Sequence, residues 1–241
     1  MRKFTGKGVY GAVTIGRISV FNRKAATVTR VHISDTEAEK ARLGAAKAAS
    51  AAQLQEIYDK AVKEVGETNA QIFEIHMMML DDEDYNNSIE SIIDTQRVNA
   101  EYAVAITADN FAGMFSSMED SYMQARAADV RNISHRIIDN LMETVSGGSD
   151  EMDNMIVCAS DLTPSETVSL DKDKVLAFVT AHGSSNSHTA ILARNMNIPA
   201  VIGIGDEFLS AVKDGETAIV DGFTGEGLGI AAHAVALIET L

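Results

Sequence analysis

The sequence predicts a mixed α/β domain assembled from both ends of the chain, with an all-α helical domain inserted between them. Three observations carry this. From Gly6 to Phe21, glycines alternate with β-branched and apolar residues (Val9, Val13, Ile15, Ile18, Val20), the texture of strands and tight turns. From 35 to about 145 there is no proline, and Ala, Glu, Lys, Leu and Met dominate, as in helices. Beyond Ser146-Gly147-Gly148-Ser149, strand-length apolar runs alternate with turn signals at Met155–Ala159, Val175–Thr180, Ala200–Ile204 and Thr217–Val220.

Taken in order, the N-terminal segment reads as short strands joined by tight turns. Ser34-Asp35-Thr36-Glu37 then has the Ser-x-x-Glu form of a capping box. Helices follow over about 35–65, closing near Gly66, then 69–80 and 83–96, separated by the acidic turn Asp81–Asp84. A fourth covers about 99–118, with Ala103, Val104, Phe111, Met114, Phe115 and Met118 at helical spacing. The fifth covers about 121–143, where Ala125, Ala128, Ile133, Ile137 and Leu141 form one apolar stripe. Stripes of this kind predict a bundle of antiparallel pairs. The domain limits expected are 1–33 with 146–241 for the α/β part and 34–145 for the helical part, with hinges around 22–34 and 145–150.

The chain's 241 residues, 46% of them hydrophobic, suffice for two cores without disulfides or metals. A formal charge of -15 argues against a nucleic-acid partner, whose phosphates call for clustered Lys and Arg; a basic protein suits it better. The lone cysteine, Cys158, forms no internal disulfide, which fits a reducing, cytoplasmic setting. No signal-peptide pattern and no run approaching about 18 apolar residues is present, so a soluble protein without membrane insertion is expected.

Six histidines are available. His76 and His135 fall on predicted helices, where a hydrogen-bonded structural role is the ordinary one, and His32 and His233 have no motif around them. His188 differs. It follows a loop of small residues, Gly183-Ser184-Ser185-Asn186-Ser187, and begins the helical pattern Thr189–Arg194. The unpaired N–H groups and positive dipole end of a helix N-terminus stabilise an oxyanion. A neutral imidazole placed there is a competent nucleophile, and its phosphorylated nitrogen is a good leaving group. The plain alternative is that Ser187 caps a helix and His188 is an incidental first-turn residue. A nucleophilic serine is disfavoured, since Ser184, Ser185 and Ser187 lie in no Gly-x-Ser-x-Gly elbow. Zinc-ligand spacing and the Gly-x-x-x-x-Gly-Lys of a nucleotide loop are both absent.

Several ordered motifs give the chain a wider likeness. Ile72-Phe-Glu-Ile-His76, Leu80-Asp-Asp-Glu83, Arg126-Ala-Ala-Asp-Val-Arg131, Asp161-Leu-Thr-Pro-Ser-Glu-Thr167, Ser187-His-Thr-Ala-Ile-Leu-Ala-Arg194 and Ile198-Pro-Ala-Val-Ile-Gly203 together resemble the N-terminal half of enzyme I, the phosphoenolpyruvate-protein phosphotransferase of the bacterial sugar phosphotransferase system. The resemblance implies an α/β phosphohistidine (swivelling) domain with an inserted helical bundle. It implies that His188 accepts phosphate originating from phosphoenolpyruvate and hands it to the small carrier protein HPr. By position, Thr167 matches the threonine that bonds the unphosphorylated histidine, while Glu67, Asp82, Asp84 and Arg126 match the HPr-binding surface. A solvated acidic turn is the alternative for 81–84.

The chain departs from the family pattern in three places. The common Gly-Gly-Arg-Thr-Ser-His is here Gly183-Ser-Ser-Asn-Ser-His188, without its cation; the lysine that often neighbours the phosphohistidine is here Asn69; and the tail Gly225–Leu241 lacks the expected proline-containing strand and linker. Phosphate stabilisation then falls to backbone donors, to Ser184, Ser185 and Asn186, or to Arg194, with His182 read as a bystander. In the family a C-terminal barrel of about 250 residues binds phosphoenolpyruvate and magnesium and mediates dimers. The resemblance therefore implies a monomer that exchanges phosphate with HPr and needs no metal or cofactor of its own. The rival is the phosphohistidine swivelling domain of a dikinase or phosphoenolpyruvate synthase. A non-catalytic helical scaffold is the alternative from outside catalysis.

Overall fold

The computed structural model of the chain describes residues 2–21, 27–143, 154–184, 187–223 and 234–239. Two compact units emerge, one from Met1–Arg23, Lys60–Ala70 and Gly147–Leu241, the other from Lys24–Asp59 and Gln71–Ser146. In chain order the elements are β1 (Arg2–Tyr10), β2 (Val13–Phe21), α1 (Thr36–Val65), α2 (Glu67–Leu80), α3 (Glu83–Gln96), α4 (Ala100–Ser116) and α5 (Ser121–Leu141). They continue as β3 (Met155–Ala159), α6 (Pro164–Ser169), β4 (Val175–Thr180), α7 (His188–Asn195), β5 (Ala200–Ile202), α8 (Glu207–Ala211), β6 (Thr217–Asp221) and β7 (Ala234–Glu239).

Among the described residues, seven strands form one closed barrel, in the order β1-β5-β4-β3-β2-β6-β7. The run β2-β3-β4-β5 is parallel, whereas β1 pairs antiparallel with both β5 and β7 and so completes the ring. Closure removes every free strand edge. The N-terminal segment thus makes two nine-residue strands, longer than the short strands its glycines suggest. Strand β7 lies within the tail whose pattern departs from the family's. The rest of that tail, with His233, lies outside the described residues.

Period-two alternation divides the apolar residues into two layers. Ile18, Ile156, Cys158, Ala177, Val179, Val201, Ala218 and Val220 converge with Phe208 of α8, and Phe4 of β1 meets the Phe208 ring edge-on at 5.4 Å. The other face of β3, β4 and β5 offers Val157, Ala159, Phe178, Ala200 and Ile202 to Leu162, Ala190, Ala193 and Met196 on and around α6 and α7. Burial pushes the Cys158 thiol up to about 12, leaving it a small apolar filler.

In the helical unit Ala103, Val104, Ile133, Ile137 and Leu141 of the expected stripes are buried, together with Ile89, Ile93 and Ala112, whereas Met114, Ala125 and Ala128 are exposed, because α4 and α5 turn those positions away from their neighbours. Asp35, rather than Ser34, caps α1: its carboxylate accepts the Ala38 N–H at 3.0 Å, and the Ser34 carbonyl instead accepts from Arg97. The far end of the hinge expected over 22–34 is bonded to the helical unit. Residues 31–33 are clamped to the α3–α4 connection, with Ile33 N donating to Arg97 O at 2.9 Å and Asn99 N to Val31 O at 3.0 Å. Of the expected hinge positions, 22–26 and 145–150 lie outside the described residues. Arg42 grips both carboxylate oxygens of Glu101, at 2.7 and 2.8 Å, and Glu39 at 2.6 Å; these carboxylates raise its guanidinium further above its already high range.

Gly6 lies on β1 where a Cβ would stand 2.6 Å from the Ile202 carbonyl oxygen and 2.9 Å from a Val201 methyl. Because the first obstacle is backbone of the paired strand, Gly6→Ala forces β1 and β5 apart. The expected loss is about 2 kcal/mol, read as a lower urea midpoint at unchanged slope.

Candidate functional site

Parallel strands deliver their C-terminal ends to the same side, so the connections after β3 and β4 meet there. The first carries α6. Thr163 is its N-cap: its hydroxyl accepts the Glu166 N–H at 3.2 Å, and the Glu166 carboxylate accepts the Thr163 N–H at 2.7 Å. Pro164 occupies the first turn, where a missing N–H costs nothing. The second connection carries Gly183, Ser184 and Ser187 into α7. Ser187 caps that helix, its hydroxyl accepting the Ala190 N–H at 3.2 Å, while its own N–H donates to Ser184 O at 3.0 Å.

His188 is therefore the first residue of a capped helix, and it is exposed. Thr189, one position on, is buried and donates to Leu162 O at 2.6 Å, which ties the start of α7 to the approach to α6. Gly183 turns with φ +110°, a region L side chains avoid. The Asp161 carboxylate lies beside it, 3.6 Å from where a Cβ would stand, and accepts the Leu162 N–H at 2.9 Å. Ser185 and Asn186 lie outside the described residues.

Thr167 is fully buried in α6, and its hydroxyl donates to Thr163 O at 2.9 Å. Its single proton is thus committed, leaving its oxygen to accept. Arg194 sits in the last turn of α7, six residues from His188 and so about 9 Å along the axis. Its Nε donates to Val9 O at 3.2 Å, so the geometry does not bring it to the phosphate-loop position expected of it. Exposed His182 pairs with Asp206 at 2.8 Å, while its backbone is held by Ser160 O and Gly203 N at 2.8 and 3.3 Å. Among the described residues no group of three or more His, Cys, Asp or Glu is disposed to hold a metal ion.

The carrier-surface positions behave differently from one another. Glu67 and Asp84 are exposed, and Glu67 groups with the barrel unit. Asp82 caps α3, accepting the Tyr85 N–H at 2.8 Å, so it serves the helix as well as the surface. Arg126 is buried and bonded: it donates to Asp129 at 2.9 Å and to the Tyr122 hydroxyl, with its guanidinium 4.4 Å over the Tyr122 ring. His76 completes the cluster, its Nε2 3.1 Å from Asp129 Oδ1. Burial by itself would raise the Asp129 carboxyl, but bonds and charge from His76 and Arg126 hold it below the usual carboxylate range. As an ionised carboxylate only accepts, His76 Nε2 carries the hydrogen. Spacing in the sequence gave no sign of this cluster, since α2 and α5 are brought together only by packing. Exposed Met78, Met114 and Tyr122 likewise read from sequence as ordinary helix residues.

Comparison with known proteins points to one family. The family model described as PEP-utilising enzyme, N-terminal, matches residues 5–126, and the one described as PEP-utilising enzyme, mobile domain, matches 151–225. Phosphoenolpyruvate-protein phosphotransferase of Bacillus subtilis (strain 168) is 37% identical over 227 residues, 94% of this chain and 40% of that protein. That of Lactococcus lactis subsp. lactis (strain IL1403) is 44% identical over 196 residues, 80% of this chain and 34% of that protein. The solution structure of Enzyme I (nEIt) superposes with a TM-score of 0.77 at 34% identity, covering 98% of this chain and 92% of that one. The N-terminal domain of Enzyme 1 - Nitrogen shares the fold, with a TM-score of 0.64 at 24% identity. The chain belongs to the PEP-utilising enzyme family and corresponds to the N-terminal part of enzyme I. It spans two fifths or less of the length of these curated relatives.

Asp129 stabilises the fold while ionised. Its folded value lies below its unfolded one, so the contribution is complete above about pH 4 and is lost as pH falls through the folded value. Asp129→Asn should cost about 3 kcal/mol at neutral pH and flatten the acid limb of stability against pH in urea titrations.

Proposed function

We propose that the chain is a phosphoryl relay, in which His188 exchanges phosphate with HPr and, through barrel residues outside this chain, ultimately receives it from phosphoenolpyruvate. One observation carries the reading: an exposed histidine stands first in a capped helix, among small residues that leave room for a second protein.

Transfer is an in-line displacement between two imidazoles. The N–P bond on the carrier breaks as one forms on the unprotonated ring nitrogen of His188. Each ring keeps the hydrogen on its other nitrogen, so no net proton moves. The positive end of α7, with the N–H groups at its start, stabilises the moving charge, and the preceding loop, cationic in the family, here carries the hydroxyl-bearing Ser184. Thr167, with its proton committed to Thr163 O, acts as acceptor for a His188 ring N–H and so selects a tautomer. On the helical side, the apolar surface of Met78, Met114 and Tyr122 and the acidic Asp84 suit a basic carrier. The swivelling domain of a dikinase shares the loop, but the relatives reported above favour the phosphotransferase.

Incubation with phosphorylated HPr should place an acid-labile, base-stable phosphate on the wild-type chain and none on His188→Ala. An unlabelled wild type, or a labelled variant, defeats the reading. For docking, Glu67→Lys combined with Asp84→Lys should weaken HPr binding about tenfold at low salt, with a smaller difference at high salt. Calorimetry at two ionic strengths measures this, and equal affinities at low salt would remove these residues from the surface.

A further inference from the structure

We infer that Thr189 is the positioning residue for chemistry at His188, acting through the Leu162–Thr163 peptide group; the inference rests on the relay reading above. A helix advances about 100° per residue, so neighbouring side chains point to different sides. Thr189 is 7% exposed, turned into the barrel wall, whereas His188 faces outward. The contacts between α7 and the barrel are mostly apolar, through Ala190, Leu192 and Ala193, and apolar contact is non-directional. It holds the helix close without fixing its roll. The Ser187 cap bonds only within the helix's own first turn and does not fix the roll either.

Among the described residues, directional bonds hold α7 near both ends: Thr189 Oγ1 to Leu162 O at 2.6 Å and Arg194 Nε to Val9 O at 3.2 Å. The first acts on a peptide group that is itself immobilised. Its carbonyl accepts from Thr189, and its N–H, on Thr163, donates to Glu166 at 2.7 Å. Because the peptide is planar, holding both ends fixes the orientation of the whole plate. The next carbonyl along, Thr163 O, accepts both the backbone N–H and the hydroxyl of Thr167, each at 2.9 Å. The helix of His188 and the side chain of Thr167 are therefore referenced to adjacent peptides of one short segment. Thr189 sets the angle at which the imidazole meets its acceptor and the incoming phosphorus.

Thr189→Val, Thr189→Ala and Thr189→Ser, made in the full chain, test this. Val preserves shape and loses the donor, Ala loses both, and Ser restores the donor alone. Initial rates of His188 phosphorylation are compared with two donors, phosphorylated HPr and phosphoramidate, from which ammonia departs as the N–P bond forms. The imidazole 15N signals of His188 are recorded alongside. Val and Ala should be about tenfold slower with both donors and should shift the His188 imidazole signals, while Ser returns within about twofold of wild type. Rates within about twofold for Val with unchanged imidazole signals overturn the inference, as does a Ser variant as slow as Ala. If Val fails to fold, the Ser–Ala pair decides by the same criteria. A wild type labelled by phosphoramidate but not by HPr removes the carrier reading alone, and the Thr189 comparison is then read with the chemical donor.

Discussion

The barrel unit depends on one constraint: β3, β4 and β5 run parallel and side by side. Parallel neighbours cannot be joined by a tight turn and need a crossover, here α6 and α7 packed on the outer face of the strands. Because the strands share a direction, both crossovers start at the same rim. That brings α6 and the approach to it, where Thr167 and Thr163 sit, against the start of α7, where Ser187 and His188 sit. Antiparallel β1, paired to β5 on one side and β7 on the other, closes the ring and leaves no edge strand near the site to pair with another chain.

Each unit also holds a polar cluster organised by complete pairing. At the rim, the Leu162 and Thr163 carbonyls accept from the Thr189 and Thr167 hydroxyls and the Glu166 carboxylate accepts from the Thr163 amide, without any formal cation among the described loop residues. In the helical unit, Asp129 is held between His76 and Arg126, and Arg126 in turn supports the exposed Tyr122 ring. A buried carboxylate is tolerable there because two donors compensate its lost hydration. The relay reading gives these clusters separate tasks: the first orients a nucleophile, and the second firms a surface that a partner meets.

Much of the layout was legible in advance. Helix and strand positions followed from apolar periodicity and from the absence of proline, and α3, β3 and β4 begin and end where expected. His188 stood out because small residues on one side and helical periodicity on the other mark a helix start in any context. Caps were less certain. Ser34 and Asp35 both have capping side chains, and it is the bond from the Ala38 N–H to the Asp35 carboxylate that identifies the cap. Arg126 was placed on the carrier surface by its resemblance to the family, and sequence hides that it is buried and paired with Asp129.

By itself the sequence determined the local matters: which segments coil or extend, where helix α7 begins, that His188 heads it, and that the loop before it lacks a cation. These follow from propensity, capping chemistry and composition within a few residues. The tertiary structure decided everything that joins distant positions: barrel closure by β1 and β7, the withdrawal of Arg194 to Val9, and the bond from Thr189 to Leu162. A side chain's type states which bonds it can make. Which one it makes depends on which backbone carbonyl the fold places within reach, and no spacing along the chain encodes that.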